Sequence, residues 1–186
     1  PWGKRKIWDK IPDAGPQKAK DVYTGPYASK CIQYAQIFHP DSWCILSAKY
    51  GFLFPDEIIP GPYEVTFKKK STSPVSSNVL SNQEQGKGLN RFDKIIALGG
   101  KVYCDLIDDL FRGKTVSKPL AGRTLGQAMK LLNEAINSKV PFWYILWKYS
   151  ILHWSSNDFW RLLEKVAHWL KITNNSGWLH FSIWLA

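Results

Sequence analysis

Two short apolar runs, each stopped by a cluster of small, basic and aromatic residues, constrain this chain more than any other feature. Trp43, Cys44, Ile45 and Leu46 lead straight into Ser47, Ala48, Lys49, Tyr50 and Gly51. Residues 94–98, KIIAL, lead into Gly99, Gly100, Lys101, Val102 and Tyr103. Short apolar runs closed by turn signals suit strands buried on both faces. Helical patterns surround them. In residues 27–38, Cys31, Tyr34, Ala35 and Phe38 recur at i, i+3, i+4 and i+7, which gives one apolar face. Residues 102–111 carry Tyr103, Leu106, Ile107 and Leu110 on one face, and residues 124–137 are amphipathic behind Thr124 as N-cap. Alternating strands and helices predict an α/β fold, a small, mainly parallel open sheet with helices on both faces and right-handed crossovers.

The rest of the chain gives weaker signals. The chain opens PWGKRK, and its first strand is expected to be truncated. A helix is expected over 17–23, interrupted by Thr24-Gly25-Pro26. Pro55, Pro60 and Pro62 exclude a helix after the first run; a short strand is expected over 63–67. Residues 68–91 read as a polar loop with a helix at 76–86, and residues 112–123 as a loop. Seven of the ten tryptophans follow Pro141, at 143, 147, 154, 160, 169, 178 and 184. That shift divides an α/β domain, 1–140, from an aromatic-rich helical extension, 141–186. The apolar stretch 142–154 is too short to span a bilayer. The extension is expected to pack on the core or on a second copy, which makes it the candidate surface for a homo-oligomer.

The formal net charge of +10 favours an anionic partner such as nucleic acid, a nucleotide or an anionic membrane surface. Cys31, Cys44 and Cys104 have no paired spacing, and the four histidines form no ligand pattern, so no metal site is expected. Scattered cysteines without a signal peptide fit reduced thiols and a cytoplasmic setting.

In an open α/β sheet ligands bind beyond the carboxyl ends of the strands. The candidate ligand-binding residues are therefore Ser47, Tyr50, Gly51, Gly99, Gly100, Lys101 and Tyr103, with Tyr63 as an aromatic that either stacks on a base or sugar or packs on the core. Two glycines let a ligand approach the backbone closely. If a strand precedes the PWGKRK turn, Lys4, Arg5 and Lys6 join Lys49 and Lys101 around one crevice. A lysine among other cations can act as a nucleophile or base, and Lys6 and Lys49 are the catalytic candidates.

The segments PWGKRK, SAKYGFLFPDEIIPGPY, LGGKVY and KPLAGR, in that order, resemble an uncharacterised archaeal, bacterial and viral domain family of unknown function. More distantly they are similar to YaaA-like and archaeosine-synthase domains, and that likeness makes Lys6 the matching lysine of the first turn. The cysteine of that turn is Trp2 here. The expected function is a nucleic-acid- or nucleotide-associated domain active in base modification or repair. The alternatives are a non-catalytic DNA- or RNA-binding module, for which the missing cysteine argues, and a small nucleotide sensor.

Overall fold

The computed structural model describes residues 6–142, 144–145 and 180–185. Helices alternate with two small sheets, so the chain is an α/β protein. The apolar runs form β2 (Trp43–Ser47) and β5 (Lys94–Leu98). Residues 51–53 turn back as β3 (Gly51–Leu53), antiparallel to β2. Residues 115–117 form β6 (Thr115–Ser117), parallel to β5. Between β2 and β5 lies β7 (His180–Leu185), parallel to both: Trp43 pairs with Ser182, and Lys94 with His180. The resulting sheet has the order β3-β2-β7-β5-β6.

Both faces of the sheet are covered, because successive side chains on a strand point to opposite sides. From β2, Trp43 and Ile45 enter one apolar cluster and Cys44 and Leu46 the other. The first cluster holds the buried faces of α2 (Pro26–Phe38) and α5 (Leu125–Ser138). The second holds Leu80 of α3 (Ser77–Gly86) and Tyr103, Cys104 and Ile107 of α4 (Lys101–Leu110). Pro26 starts α2 at a position where its missing N–H is harmless. Thr124 caps α5 in a box with Gln127: Thr124 Oγ1 accepts from the Gln127 amide, and Gln127 Oε1 from the Thr124 amide.

Several expectations are corrected. The helix read over 17–23 is shorter. Gln17 and Lys18 form β1 (Gln17–Lys18), which pairs antiparallel with β4 (Ile58–Ile59), and only α1 (Ala19–Val22) is helical. The cause is non-local: the amides of Ala19 and Lys20 donate to the carbonyls of Glu57 (2.8 Å) and Pro55 (3.0 Å). Residues 63–67 are loop rather than strand, and β6 lies inside the stretch read as loop. The C-terminal extension was expected to be helical. Its residues 180–185 are instead strand, and 146–179 lie outside the described residues. The self-association expected of its tryptophans rests mostly on that same undescribed segment. Among the described residues no helix is long and apolar enough to cross a membrane.

Candidate functional site

Since β2 and β5 both run parallel to β7, their carboxyl ends, Ser47 and Leu98, lie on one edge of the sheet. At the β2 end the chain assembles hydroxyls, aromatic rings and cations from four segments. Ser47 is fully buried, and its Oγ accepts the amides of Lys49 and Tyr50, both at 3.3 Å. Tyr63 Oη lies 2.9 Å from Ser47 Oγ and 2.5 Å from Tyr23 Oη. A serine oxygen has two lone pairs. Both amides approach that oxygen, and Tyr63 Oη lies between Ser47 Oγ and Tyr23 Oη in one hydroxyl cluster. Ser47 Oγ thus ties the Lys49–Tyr50 turn to Tyr63.

Two lysines meet over this cluster. Lys6 Nζ donates to the Tyr63 carbonyl at 2.9 Å and lies 4.4 Å from the centre of the Tyr63 ring. Lys6 is held in place by an antiparallel bridge to Tyr23 and by the Asp9 carboxylate, which accepts its amide at 2.8 Å. Lys49 Nζ lies 5.1 Å from the centre of the Tyr50 ring and 5.5 Å from that of Tyr63. The two rings meet edge to face at 5.2 Å. An ammonium over an aromatic face is attracted by the ring quadrupole, which steadies both cations without neutralising them. Lys49 is exposed, Tyr50 half-buried, and Lys49 makes no ion pair among the described residues.

The β5 end is barer. Gly100 caps α4 in an ordinary extended conformation, and a side chain there would meet nothing within 4 Å, so the backbone is open to approach. The Gly99 carbonyl accepts from Cys104 Sγ at 3.5 Å. Lys101 lies on the surface of α4 and pairs with Asp105 at 2.7 Å. Tyr103 turns inward. Its ring packs edge to face on Phe67 at 5.4 Å, and its hydroxyl bonds to Thr66 and the Phe67 backbone. Gly51 has a role of its own. With φ +74° it occupies the left-handed region, and a Cβ would fall 2.0 Å from Gln83 Oε1. Gln83 Oε1 accepts the Phe52 amide at 2.8 Å while its Nε2 donates to the Tyr50 carbonyl at 2.9 Å. The glycine makes room for this clamp, which fixes the turn between β2 and β3.

The structure therefore brings Lys6, Ser47, Lys49, Tyr50 and Tyr63 together. Gly51 and Tyr103 become structural supports, and Lys101 pairs with Asp105 on its own helix. Lys4 and Arg5 lie outside the described residues. The sequence reading missed Tyr23, Phe67 and Gln83. No local pattern marks Tyr23 or Gln83, since their partners are remote in sequence. Phe67 stood in view beside three lysines.

Burial holds the Tyr23 hydroxyl well above the usual tyrosine range. It also raises Tyr63 and Tyr103, each partly offset by the hydrogen bonds it makes. The site therefore presents neutral phenols at pH 7. A folded-state pKa raised above the unfolded value contributes stability that is complete below about pH 10 and lost as pH rises through the folded value. Tyrosinate absorbance at 295 nm is accordingly expected to rise in two stages, the later one coinciding with loss of the fold. All eight tyrosines ionising together near pH 10 with the fold intact would contradict this placement.

An α/β sheet whose carboxyl edge gathers lysines and tyrosines over a buried serine is the class that fold and site define. The chain belongs to a family of unknown function, DUF6884, which matches residues 10–134. That span contains every candidate residue except Lys4, Arg5 and Lys6. The chain is also similar to the uncharacterized protein YfjM of Bacillus subtilis (strain 168), 38% identical over 141 residues that cover 75% of this chain and 93% of that protein. No solved structure matches.

Proposed function

We propose that this chain is a nucleic-acid- or nucleotide-associated domain that takes its ligand at the carboxyl ends of β2 and β5. One observation carries the reading: Lys6 and Lys49, remote in sequence, bring their ammonium groups to the same tyrosine ring. In an open, mainly parallel sheet this edge is where ligands lie. Two such cations suit phosphate oxygens, and the half-buried Tyr50 beside them suits the face of a base. The likeness to archaeosine-synthase and YaaA-like domains points to base modification or repair, with Lys6 and Lys49 as the groups for the chemistry.

A second reading, a non-catalytic DNA- or RNA-binding module, is favoured by the closed hydroxyl chain. Ser47, Tyr63 and Tyr23 engage one another's hydroxyls, and the lysine ammonium groups are what the edge offers an anion. A small nucleotide sensor is the third reading.

Fluorescence anisotropy with a labelled twelve-nucleotide oligothymidylate tests the site. Lys49→Ala is expected to bind roughly tenfold more weakly in about 50 mM KCl, one phosphate contact being worth about 1.4 kcal/mol. Its melting temperature should match that of the wild type. Unchanged affinity would remove the site from this edge. Steep loss of affinity with salt identifies a nucleic-acid binder. Stabilisation by a single mononucleotide with little salt dependence identifies the sensor.

A further inference from the structure

The segment 63–75 was expected to be a short strand running into a mobile loop, yet it is pinned at three points to the candidate site. At its start, Tyr63 Oη bonds to Ser47 Oγ at 2.9 Å. At its end, the Val75 amide donates to the Ala48 carbonyl at 2.9 Å. Both ends therefore rest on adjacent residues at the end of β2. Between them the Phe67 ring packs on Tyr103 of α4, at the end of β5. Thr72 closes the tip. Its Oγ1 accepts the Thr66 amide at 3.0 Å and contacts the carbonyls of Thr66 (3.0 Å) and Lys69 (2.7 Å). Compact loops with adjacent ends, packed by their own side chains, are frequently functional.

This closed tip presents Lys68, Lys69 and Lys70, all exposed and none in an ion pair among the described residues. Three adjacent like charges repel one another, and a free chain would spread them. Here the Thr66–Thr72 closure holds them together on a loop whose two ends rest on Ser47 and Ala48, the turn that carries Lys49. Such clustering becomes favourable when polyanionic phosphates occupy it, and it reduces the ordering that binding would otherwise require.

We infer that the loop 63–75 is a phosphate-backbone rail. Resting on the proposed function above, it makes the ligand of the site a single-stranded nucleic acid of several nucleotides rather than a mononucleotide. One nucleotide over Lys49 and Tyr50 leaves the three loop lysines without phosphates. A strand crossing the edge supplies successive phosphates to the rail and a base to Tyr50. The half-exposed tyrosine favours unpaired bases, whose faces are free to stack.

The test compares wild type, the triple variant Lys68→Ala/Lys69→Ala/Lys70→Ala, Thr72→Val and Lys49→Ala. Each binds the labelled oligothymidylate across a KCl series, with the fold checked by melting. For the triple variant the slope of log K against log salt should be shallower by about 2, at roughly 0.7 per single-strand phosphate contact. Its affinity should fall at least tenfold at low salt. Thr72→Val keeps the charges but opens the loop, so affinity should fall severalfold with the slope retained. An unaltered slope in the triple variant overturns the rail; in that event a weakened Lys49→Ala still upholds the strand-end site. An effect of the triple variant with none from Lys49→Ala overturns the shared site instead. Equal affinity for a duplex of the same length, or for anionic phosphatidylserine vesicles, overturns the single-strand assignment, as does absence of binding by wild type.

Discussion

Alanine in place of Phe142 is expected to lower the stability of the fold by about 3–5 kcal/mol, the range found when a buried phenylalanine is truncated. Only 2% of Phe142 is exposed, and its ring stacks on Tyr34 with centroids 4.0 Å apart and planes within 10°. Tyr34 is itself fully buried in the middle of α2, packed also against Phe38 at 4.6 Å. Its hydroxyl accepts the Phe142 amide at 3.1 Å, so the chain just past α5 is tied down by ring and backbone together. The alanine variant keeps the amide bond and loses the ring, leaving a cavity beside Tyr34. Tyr34→Phe does the reverse: it removes the acceptor of a buried amide, with an expected cost of about 1–3 kcal/mol. The two losses share one contact and should not add. Urea unfolding followed by tryptophan fluorescence measures both. A shift below about 1 kcal/mol for Phe142→Ala would place the segment after Val140 outside the core.

Gly51→Ala is expected to cost about 2–5 kcal/mol through two separable effects. A left-handed backbone at a residue with a Cβ accounts for about 1–2 kcal/mol. The remainder comes from Gln83, whose Oε1 must leave the space the methyl enters. Its two hydrogen bonds to Phe52 and Tyr50 then break, at about 0.5–1.5 kcal/mol each. Gln83→Ala loses the same bonds but relieves the overlap. The double variant should therefore be less unstable than the sum of the singles. Additive losses would show that Gly51 and Gln83 do not meet, and a Gly51→Ala protein as stable as wild type would show that the turn is not left-handed. The experiment also separates two roles of the SAKYG turn, since Gly51 shapes it and Lys49 is the group offered to a ligand.

What could be read in the sequence follows from which forces are local. The strands β2 and β5 are marked by their apolar runs. The helices α2, α4 and α5 are marked by 3.6-residue periodicity and, in α5, by the Thr124 cap, and the structure places each within a residue or two of the expected bounds. The helix at 76–86 is found at Ser77–Gly86. Elements that depend on a remote partner carried no such mark. β1 and β4 are two-residue strands that exist by pairing with each other. β3 depends on the turn that Gln83 clamps. β6 is three residues long, and β7 is a strand in an extension whose tryptophan-rich composition suggested helix. The same division runs through the site. Ser47, Lys49 and Tyr50 stood together in one motif and stay together. Lys101 looked equivalent to Lys49, but its helical register put Asp105 one turn away as a closer partner. Tyr23 entered only through the tertiary fold.

The placement of β7 sets the order in which this molecule can form. Helix α2, β2 and β3 are close in sequence and can associate early. β2 and β5 cannot join the same sheet until residues 180–185 lie between them, where Ile45 pairs with Trp184 and Leu98 with that same Trp184 from the other side. Contacts of such sequence separation slow folding, because the closure entropy is lost before the pairing is gained. Until then the inner edges of β2 and β5 present unpaired amides and carbonyls, the template on which chains aggregate. The middle of the sheet is thus both its most protected position once folded and the most exposed during synthesis and refolding. Supply of that single strand governs whether the ends of β2 and β5 come to lie on one edge of the sheet.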